Sequence, residues 1–292
     1  MDCRCFLRHN YFVGTIAGGT LRLDRHMEFP PSPVDLRNIP PEMIPEVTAI
    51  LEKEYTRRES MNAMIEKRRQ TIANVYTRKH PDVYVWNPHR FLNPCYRESL
   101  HEALPGVLET KLFLAEFCDL LVEEIQHFMS QTDVERSQPN SMNRYGCLMD
   151  ELDTEATLVT PLRSLLADIA HSHFGFPADC LTHHRCFIVK YLPGKDIHLS
   201  RHYDNSEITM NVCLMAKDVK GSLLNFFERA DGHTFRSYRF SPGMAVFHLG
   251  SHHHEATTLL HGERLNLVLW GRSRGYRRQH GCPMCGSTVD ML

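Results

Sequence analysis

The chain has 292 residues, a formal net charge of −2 and 42% hydrophobic residues. That length buries a full core, as one large domain or as a core domain with a substantial extension. The near-balanced charge lacks the basic bias that phosphate contacts favour, so no nucleic-acid partner is expected, and no run approaches the ~18 apolar residues of a membrane span.

The first residues, MDCRCFLRHNYFVG, carry early charges and no long apolar stretch, so no signal peptide is expected. Residues 1–42 read as irregular, because Gly18-Gly19, FPPSPVD and NIPPEM interrupt regular structure. From Ile44 to Tyr76, apolar residues such as Val47, Leu51, Met61, Ile65 and Ile72 recur at helical spacing, with charges between them. KHPDVYVWNPHRFLNP ends that helix, since the residue before a proline avoids the helical region. It places His80 and Asp82 in a turn, as ordinary turn residues. A second helix fits Glu116–Met129, with Phe117, Leu121, Ile125 and Phe128 on one face. SQPNSMNRYG (Ser137–Gly146) is a turn-rich loop, and its place ahead of the β half puts it near the mouth of a site there. A third helix starts with Thr160 as N-cap and Pro161 at the first turn, and ends near Gly175.

After Pro177, helical periods give way to short β-like runs: CFIVKYL, ITMNVCLM, SLLNFF, TFRSYRF, MAVFHLG and LNLVLW. Such spacing suggests a sandwich or jelly roll. The basic run GRSRGYRRQH (Gly271–His280) reads as a solvated tail. Cys282 and Cys285 have C-x-x-C spacing, but a structural zinc needs two more ligands, and His280, Cys3 and Cys5 are the nearest candidates. A plain reduced tail is preferred. The ten cysteines show no disulfide-framework spacing, which points to reduced, packed thiols in a soluble cytoplasmic or nuclear protein.

The chemistry concentrates in two stretches of the β half. HLSRHYDNSEITMNVCL holds His202 and Asp204 just ahead of a strand whose Thr209, Asn211 and Cys213 alternate with Ile208, Met210, Val212 and Leu214. SHHHEATTLLHGERLNLVLW holds His254 and, ten residues on, Arg264. Two imidazoles and one carboxylate form a facial triad that leaves positions open on non-haem iron. Zinc could take the same ligands, but it would not need an arginine placed to grip a second carboxylate. Of the histidine run, His252 and His253 read as solvated or as orienting groups. His248 reads as a satisfied core histidine, and Trp86 and Trp270 as core aromatics.

HYDNSEITMNVCL and HEATTLLHGERLNLVLW resemble the two signature stretches of the 2-oxoglutarate and Fe(II)-dependent dioxygenases of the prolyl/lysyl hydroxylase type. RRQTIANVYTRKHPDVY, QPNSMNRYG, FIVKYLPGKDIHLSRHYDN and the terminal CPMC are similar to one branch, the 2-oxoglutarate and iron-dependent oxygenase domain-containing proteins. The resemblance implies an α+β fold: a double-stranded β-helix (jelly roll) core over residues 176–275, a helical extension over 1–175 bracing it, and a C-terminal tail over 276–292. It implies His202, Asp204 and His254 as the catalytic iron ligands, and Arg264 as the partner of the distal carboxylate of 2-oxoglutarate. Tyr191, in KYLPG, and Asn211 match positions that bind the cosubstrate. The cofactors implied are Fe(II), 2-oxoglutarate and L-ascorbate, with O2 consumed. The substrate, a protein or a small molecule, is not implied, though the resemblance leans toward a protein side chain. Gly221-Ser222 stands where the family often has Gly-Gly, a change expected to touch no ligand. The alternative readings are a catalytically idle metal-binding interaction module on the same fold and a zinc hydrolase using the same triad. Binding of 2-oxoglutarate separates them from the dioxygenase.

Overall fold

The computed structural model describes residues 11–17, 19–24, 29–37, 39–131, 136–227 and 234–280. Cys3, Cys5, Cys282 and Cys285, and with them the C-x-x-C, lie outside the described residues. The chain forms two compact units, residues 1–68 with 274–292, and residues 69–273.

In the first unit, strands β1 (Tyr11–Ile16) and β2 (Gly19–Asp24) form an antiparallel hairpin. This corrects the expectation of an irregular N-terminus. Gly19, at φ +137°, opens β2 in a backbone conformation that side-chain-bearing residues avoid. Ile16, Leu21 and Leu23 pack with Ile39, Val47 and Leu51. Val47 and Leu51 come from helix α1 (Ile44–Val75), which continues into the second unit from Arg69. Met61 and Ile65 keep the helical spacing but are exposed. Arg274–His280, within the basic run read as a solvated tail, forms a short helix.

The second unit is built on strands β3 (His101–Leu104), β4 (Val107–Lys111), β5 (Gly146–Leu148), β6 (His183–Tyr191), β7 (Leu199–His202), β8 (Ile208–Gly221), β9 (Leu224–Phe227), β10 (Thr234–Tyr238), β11 (Met244–Leu249), β12 (His254–Ala256) and β13 (Leu259–Arg272). Seven make one sheet in the order β3-β4-β11-β8-β13-β6-β5, and four make the other, β10-β9-β12-β7. The sheets face each other. Leu104, Val107, Cys213 and Val246 of the larger pack against Leu224 and Phe226 of the smaller, and Phe187, Val189 and Val268 pack against Ala256. This is the jelly roll expected, with five strands that sequence reading missed, β3, β4, β5, β7 and β12. β3, β4 and β5 precede residue 175 yet belong to the larger sheet, and three to five residues are too few to display alternation.

Alternation is plain along β8. Thr209, Asn211 and Cys213 face the smaller sheet, and Met210, Val212 and Leu214 point to the opposite face. That face is covered by helices α2 (Ala115–Ser130), packed on β8, and α3 (Thr160–Phe174), packed on β8 and β13. Both rows of β8 are therefore buried for most of its first half. Thr160 does not cap α3. A single π-helical turn, Glu155–Val159, feeds into it, and Gly175 at φ 72° ends it. The described cysteines are free thiols, and five of them, Cys118, Cys147, Cys180, Cys186 and Cys213, are buried. Among the described residues no helix is long and apolar enough to cross a membrane.

Candidate active site

β7 ends on His202, and Asp204 sits in the turn that leads to β8. Two hydrogen bonds lock this turn against the end of β11: Asp204 N–H donates to the Gly250 carbonyl (2.8 Å), and Gly250 N–H donates to the Glu207 carbonyl (3.1 Å). A Cβ on Gly250 would stand 2.0 Å from the Ser206 carbonyl oxygen, so only glycine lets the two loops meet. β12 then opens on His254, directly opposite His202 in the antiparallel pairing. The two imidazole centroids are 4.3 Å apart. His202 Nε2 lies 3.7 Å from Asp204 Oδ1, and His254 Nε2 lies 3.8 Å from Asp204 Oδ2. The three ligand atoms all fall within 4.8 Å of one another.

Each ligand is oriented by its neighbours. Nδ1 of His202 is 2.8 Å from the Ser200 carbonyl, and Nδ1 of His254 is 2.8 Å from the His252 carbonyl. A carbonyl only accepts, so each Nδ1 carries the proton and each Nε2 presents a lone pair to the centre. Burial, with His202 and His248 nearby, pushes His254 well below the ordinary histidine range and keeps it neutral. Thr209 donates to Asp204 Oδ2 (2.6 Å), and its hydroxyl is shared with Ser206 (2.8 Å). Two neutral imidazole nitrogens and one carboxylate, converging on one side, fit a divalent iron with open positions.

The rest of the histidine run turns elsewhere. His253 stacks on Tyr203 (5.8 Å) beside Arg201, and His252 packs its ring on Phe226 (4.9 Å). His248 is fully buried, as expected, but only half satisfied. Nδ1 bonds the Leu249 carbonyl, while Nε2 has no partner and stands 3.9 Å from Asp204 Oδ2. Its place beside the triad follows from the pairing of His248 with Thr209 across β11 and β8, which the sequence does not display.

Behind the triad, between the sheets, lies a narrow pocket with a cavity volume of about 40 Å³. All six expected site residues line it: His202, Asp204, His254, Arg264, Tyr191 and Asn211. Arg264 lies five residues inside β13 and is 2% exposed. Its guanidinium sits 4.7 Å from the Tyr191 ring, directly across the β13–β6 pairing, and 5.3 Å from the Phe240 ring. Nη1 donates to the Ser222 carbonyl (2.7 Å), and Nε has no partner. Burial pushes the guanidinium below its ordinary range, against the pull of Tyr191. Among the described residues no carboxylate forms an ion pair with it; a buried cation left so is costly, and an anionic ligand would offset that cost. Ser222 is held in the left-handed region at φ 53°, and its carbonyl is a partner of Arg264. That carbonyl belongs to the backbone and would be offered equally by a glycine, so the departure from Gly-Gly does not alter this contact.

Asn211 accepts a hydrogen bond from Asn266 Nδ2 (2.7 Å), leaving Asn266 Oδ1 without a partner. Asn266, Trp270, Asn140 and Asn143 also line the pocket, and sequence reading assigned none of them to it. The alternation in RLNLVLW does carry the signal for two, since Arg264, Asn266, Val268 and Trp270 share one face. The turn-rich loop expected near the mouth supplies Asn140 and Asn143. A second, more open crevice holds Arg69, Asp150, Glu155, Arg163, His184 and Arg185 but no triad residue. Its carboxylates are engaged by Arg69 on Asp150 (2.5 Å) and His184 on Glu155 (3.0 Å).

A jelly roll with two histidines and an aspartate at one end of the space between its sheets, and a buried arginine behind them, has the architecture of the non-haem iron oxygenases. The comparisons agree. A family model, the OGFOD2-like domain, matches residues 72–177. The 2-oxoglutarate and iron-dependent oxygenase domain-containing protein 2 of Mus musculus is 35% identical over 83% of this chain and 76% of its own length. The Homo sapiens protein of that name is 34% identical over 85% and 77%. Among solved structures, a Pseudomonas putida prolyl-4-hydroxylase is 21% identical over 58% of this chain and 94% of its own, with a TM-score of 0.44. The chain belongs to the family of 2-oxoglutarate and iron-dependent oxygenase domain-containing proteins 2.

Proposed function

We propose that this protein is an Fe(II)- and 2-oxoglutarate-dependent dioxygenase that hydroxylates a C–H bond of a protein side chain. The reaction consumes O2 and 2-oxoglutarate and yields the alcohol, succinate and CO2. His202, Asp204 and His254 would hold the iron, which would supply the O2 activation the reaction needs. Ser200 and His252 carbonyls fix the imidazole tautomers, and Thr209 fixes the carboxylate. Arg264 pairs with the distal carboxylate of 2-oxoglutarate, to which it offers charge and donors together. Tyr191 and Asn211 line the space between. L-Ascorbate belongs to the reading as an auxiliary reductant.

The observation that carries this reading is the pairing of two features in one pocket: three converging ligand atoms at one end, and a buried arginine with an unused donor behind them. An idle metal module has no use for the second feature. The choice of a protein side chain rests on the likeness of HYDNSEITMNVCL and HEATTLLHGERLNLVLW to prolyl and lysyl hydroxylases, and on a site that reaches the surface at His202, whose side chain keeps 13% exposure. The test is anaerobic titration of the Fe(II)-loaded protein with 2-oxoglutarate, then admission of O2 with mass spectrometry of candidate peptides. Saturable binding, and a peptide gaining one oxygen per succinate, are expected. Absence of 2-oxoglutarate binding would overturn the reading.

A further inference from the structure

Asn143 lies outside the jelly-roll strands that supply the triad and Arg264, in the segment that precedes them. The loop that carries it is pinned at both ends. Arg144 N–H and Tyr145 N–H donate to Asp196 Oδ2 (2.7 and 3.0 Å), and the Tyr145 carbonyl accepts from Lys190 N–H (3.0 Å). Gly146, at φ +146°, then enters β5 against β6, where a Cβ would stand 1.9 Å from the Ile188 carbonyl oxygen. Upstream, the Arg185 guanidinium donates to the Pro139 carbonyl (2.8 Å). The loop is thereby built against the strand that carries Tyr191.

The hydrogen bonds also decide which way the Asn143 amide faces. Asn140 Oδ1 accepts from the backbone N–H of Met142 (2.8 Å) and of Asn143 (2.7 Å). Backbone N–H groups only donate, so that atom is oxygen and the other terminal atom of Asn140 is nitrogen. Asn140 Nδ2 in turn donates to the Asn143 side chain (3.0 Å), so the atom it meets is Asn143 Oδ1. Asn143 Nδ2 is left facing the pocket. It is a donor on a residue 1% exposed, short of full hydrogen-bond geometry with any acceptor, with the Tyr191 hydroxyl as a polar neighbour. Its amide and the Arg264 guanidinium both act on the Tyr191 hydroxyl, whose titration burial pushes up and they oppose. Buried donors in proteins are rarely left unmatched.

We infer that Asn143 binds the cosubstrate, its amide N–H donating to the distal carboxylate of 2-oxoglutarate beside Arg264 and Tyr191. The inference rests on the oxygenase reading. A carboxylate offers about four acceptor sites, enough for Arg264 Nε, the Tyr191 hydroxyl and Asn143 Nδ2 together. The segment matched by the OGFOD2-like model thus supplies part of the pocket as well as its outer support.

The test uses the full chain with Mn(II) in place of iron, and measures 2-oxoglutarate binding by calorimetry for wild type, Asn143→Ala and Asn143→Asp. Oxalate, a bidentate metal ligand without a distal carboxylate, is the second probe. Asn143→Ala should weaken 2-oxoglutarate by about ten-fold, the scale of one hydrogen bond to a charged group, and leave oxalate unchanged. Asn143→Asp still accepts the bond from Asn140 and so keeps the loop, but it turns an anion toward the carboxylate. It should weaken 2-oxoglutarate more than Asn143→Ala does. Wild-type affinity in Asn143→Asp would overturn the inference, and so would equal loss of both probes in Asn143→Ala. If wild type binds oxalate but not 2-oxoglutarate, the oxygenase reading itself fails, which is a different result from either.

Discussion

Arg264 is held with little freedom. One donor is spent on the Ser222 carbonyl, its face lies against Tyr191, and Nε remains for a ligand. Arg264→Lys keeps a positive charge but loses the planar, multiply donating head. The expected result is a folded protein whose KM for 2-oxoglutarate rises by ten-fold or more, from loss of about 1.5–3 kcal/mol. An unchanged KM would remove Arg264 from the pocket. The histidine run gives a sharper comparison. His254 faces His202 across the β12–β7 pairing, whereas His253 stacks outward on Tyr203. Asp204→Ala and His254→Ala should abolish Fe(II)-dependent succinate release, and His253→Ala should retain most of it. A dead His253→Ala beside an active His254→Ala would shift the register by one residue.

Between elements, the firmest polar tie outside the site is Glu124 of α2. It is fully buried and accepts from the Tyr76 hydroxyl (2.5 Å), the Tyr84 hydroxyl (2.8 Å) and His80 N–H (2.6 Å). Burial pushes this carboxyl up, but the Tyr76 and Tyr84 hydroxyls and nearby backbone N–H groups outweigh it and leave it below the ordinary carboxylate range. A depressed folded-state value means that its share of stability is full above the unfolded pKa of about 4.3 and is lost as pH falls through the folded value. Glu124→Ala strands three donors and should cost about 3 kcal/mol by urea unfolding at neutral pH. The variant should also lose part of the wild type's decline in stability on acidification. A loss under 1 kcal/mol would show that the segment from Tyr76 to Tyr84 is held by packing alone. His80, which the sequence places in a turn, also serves α2, with Nε2 on Glu123 at 2.9 Å.

For the whole molecule, the triad joins β7, the turn into β8, and β12, three places brought together only when both sheets have formed. Metal therefore binds the folded state and not the unfolded one, and linkage raises stability. At a hundred times the dissociation constant, Mn(II) or Co(II) should add about 2.7 kcal/mol and raise the Tm. Asp204→Ala should show no such rise. A Tm indifferent to metal in the wild type would count against the triad.

The amino-acid sequence by itself determined the long helix from Ile44 and the alternation of β8 and β13, because each is written in local period, and it pointed to the candidate triad and Arg264 through the spacing of reactive side chains and the resemblance to a known family. Three-residue strands such as β5 and β12 carry too little period to be read, and the hairpin of β1 and β2 was masked by its glycines. What only the tertiary structure decided depends on pairing across long separations. His248 reaches the triad through its register with Thr209. Ser222 becomes a partner of Arg264 although they are 42 positions apart in the sequence. Asn143 enters the pocket because Asp196, Ile188 and Arg185 seat its loop on β6. A side chain's neighbours across a sheet are set by strand order and register, and no local pattern encodes either.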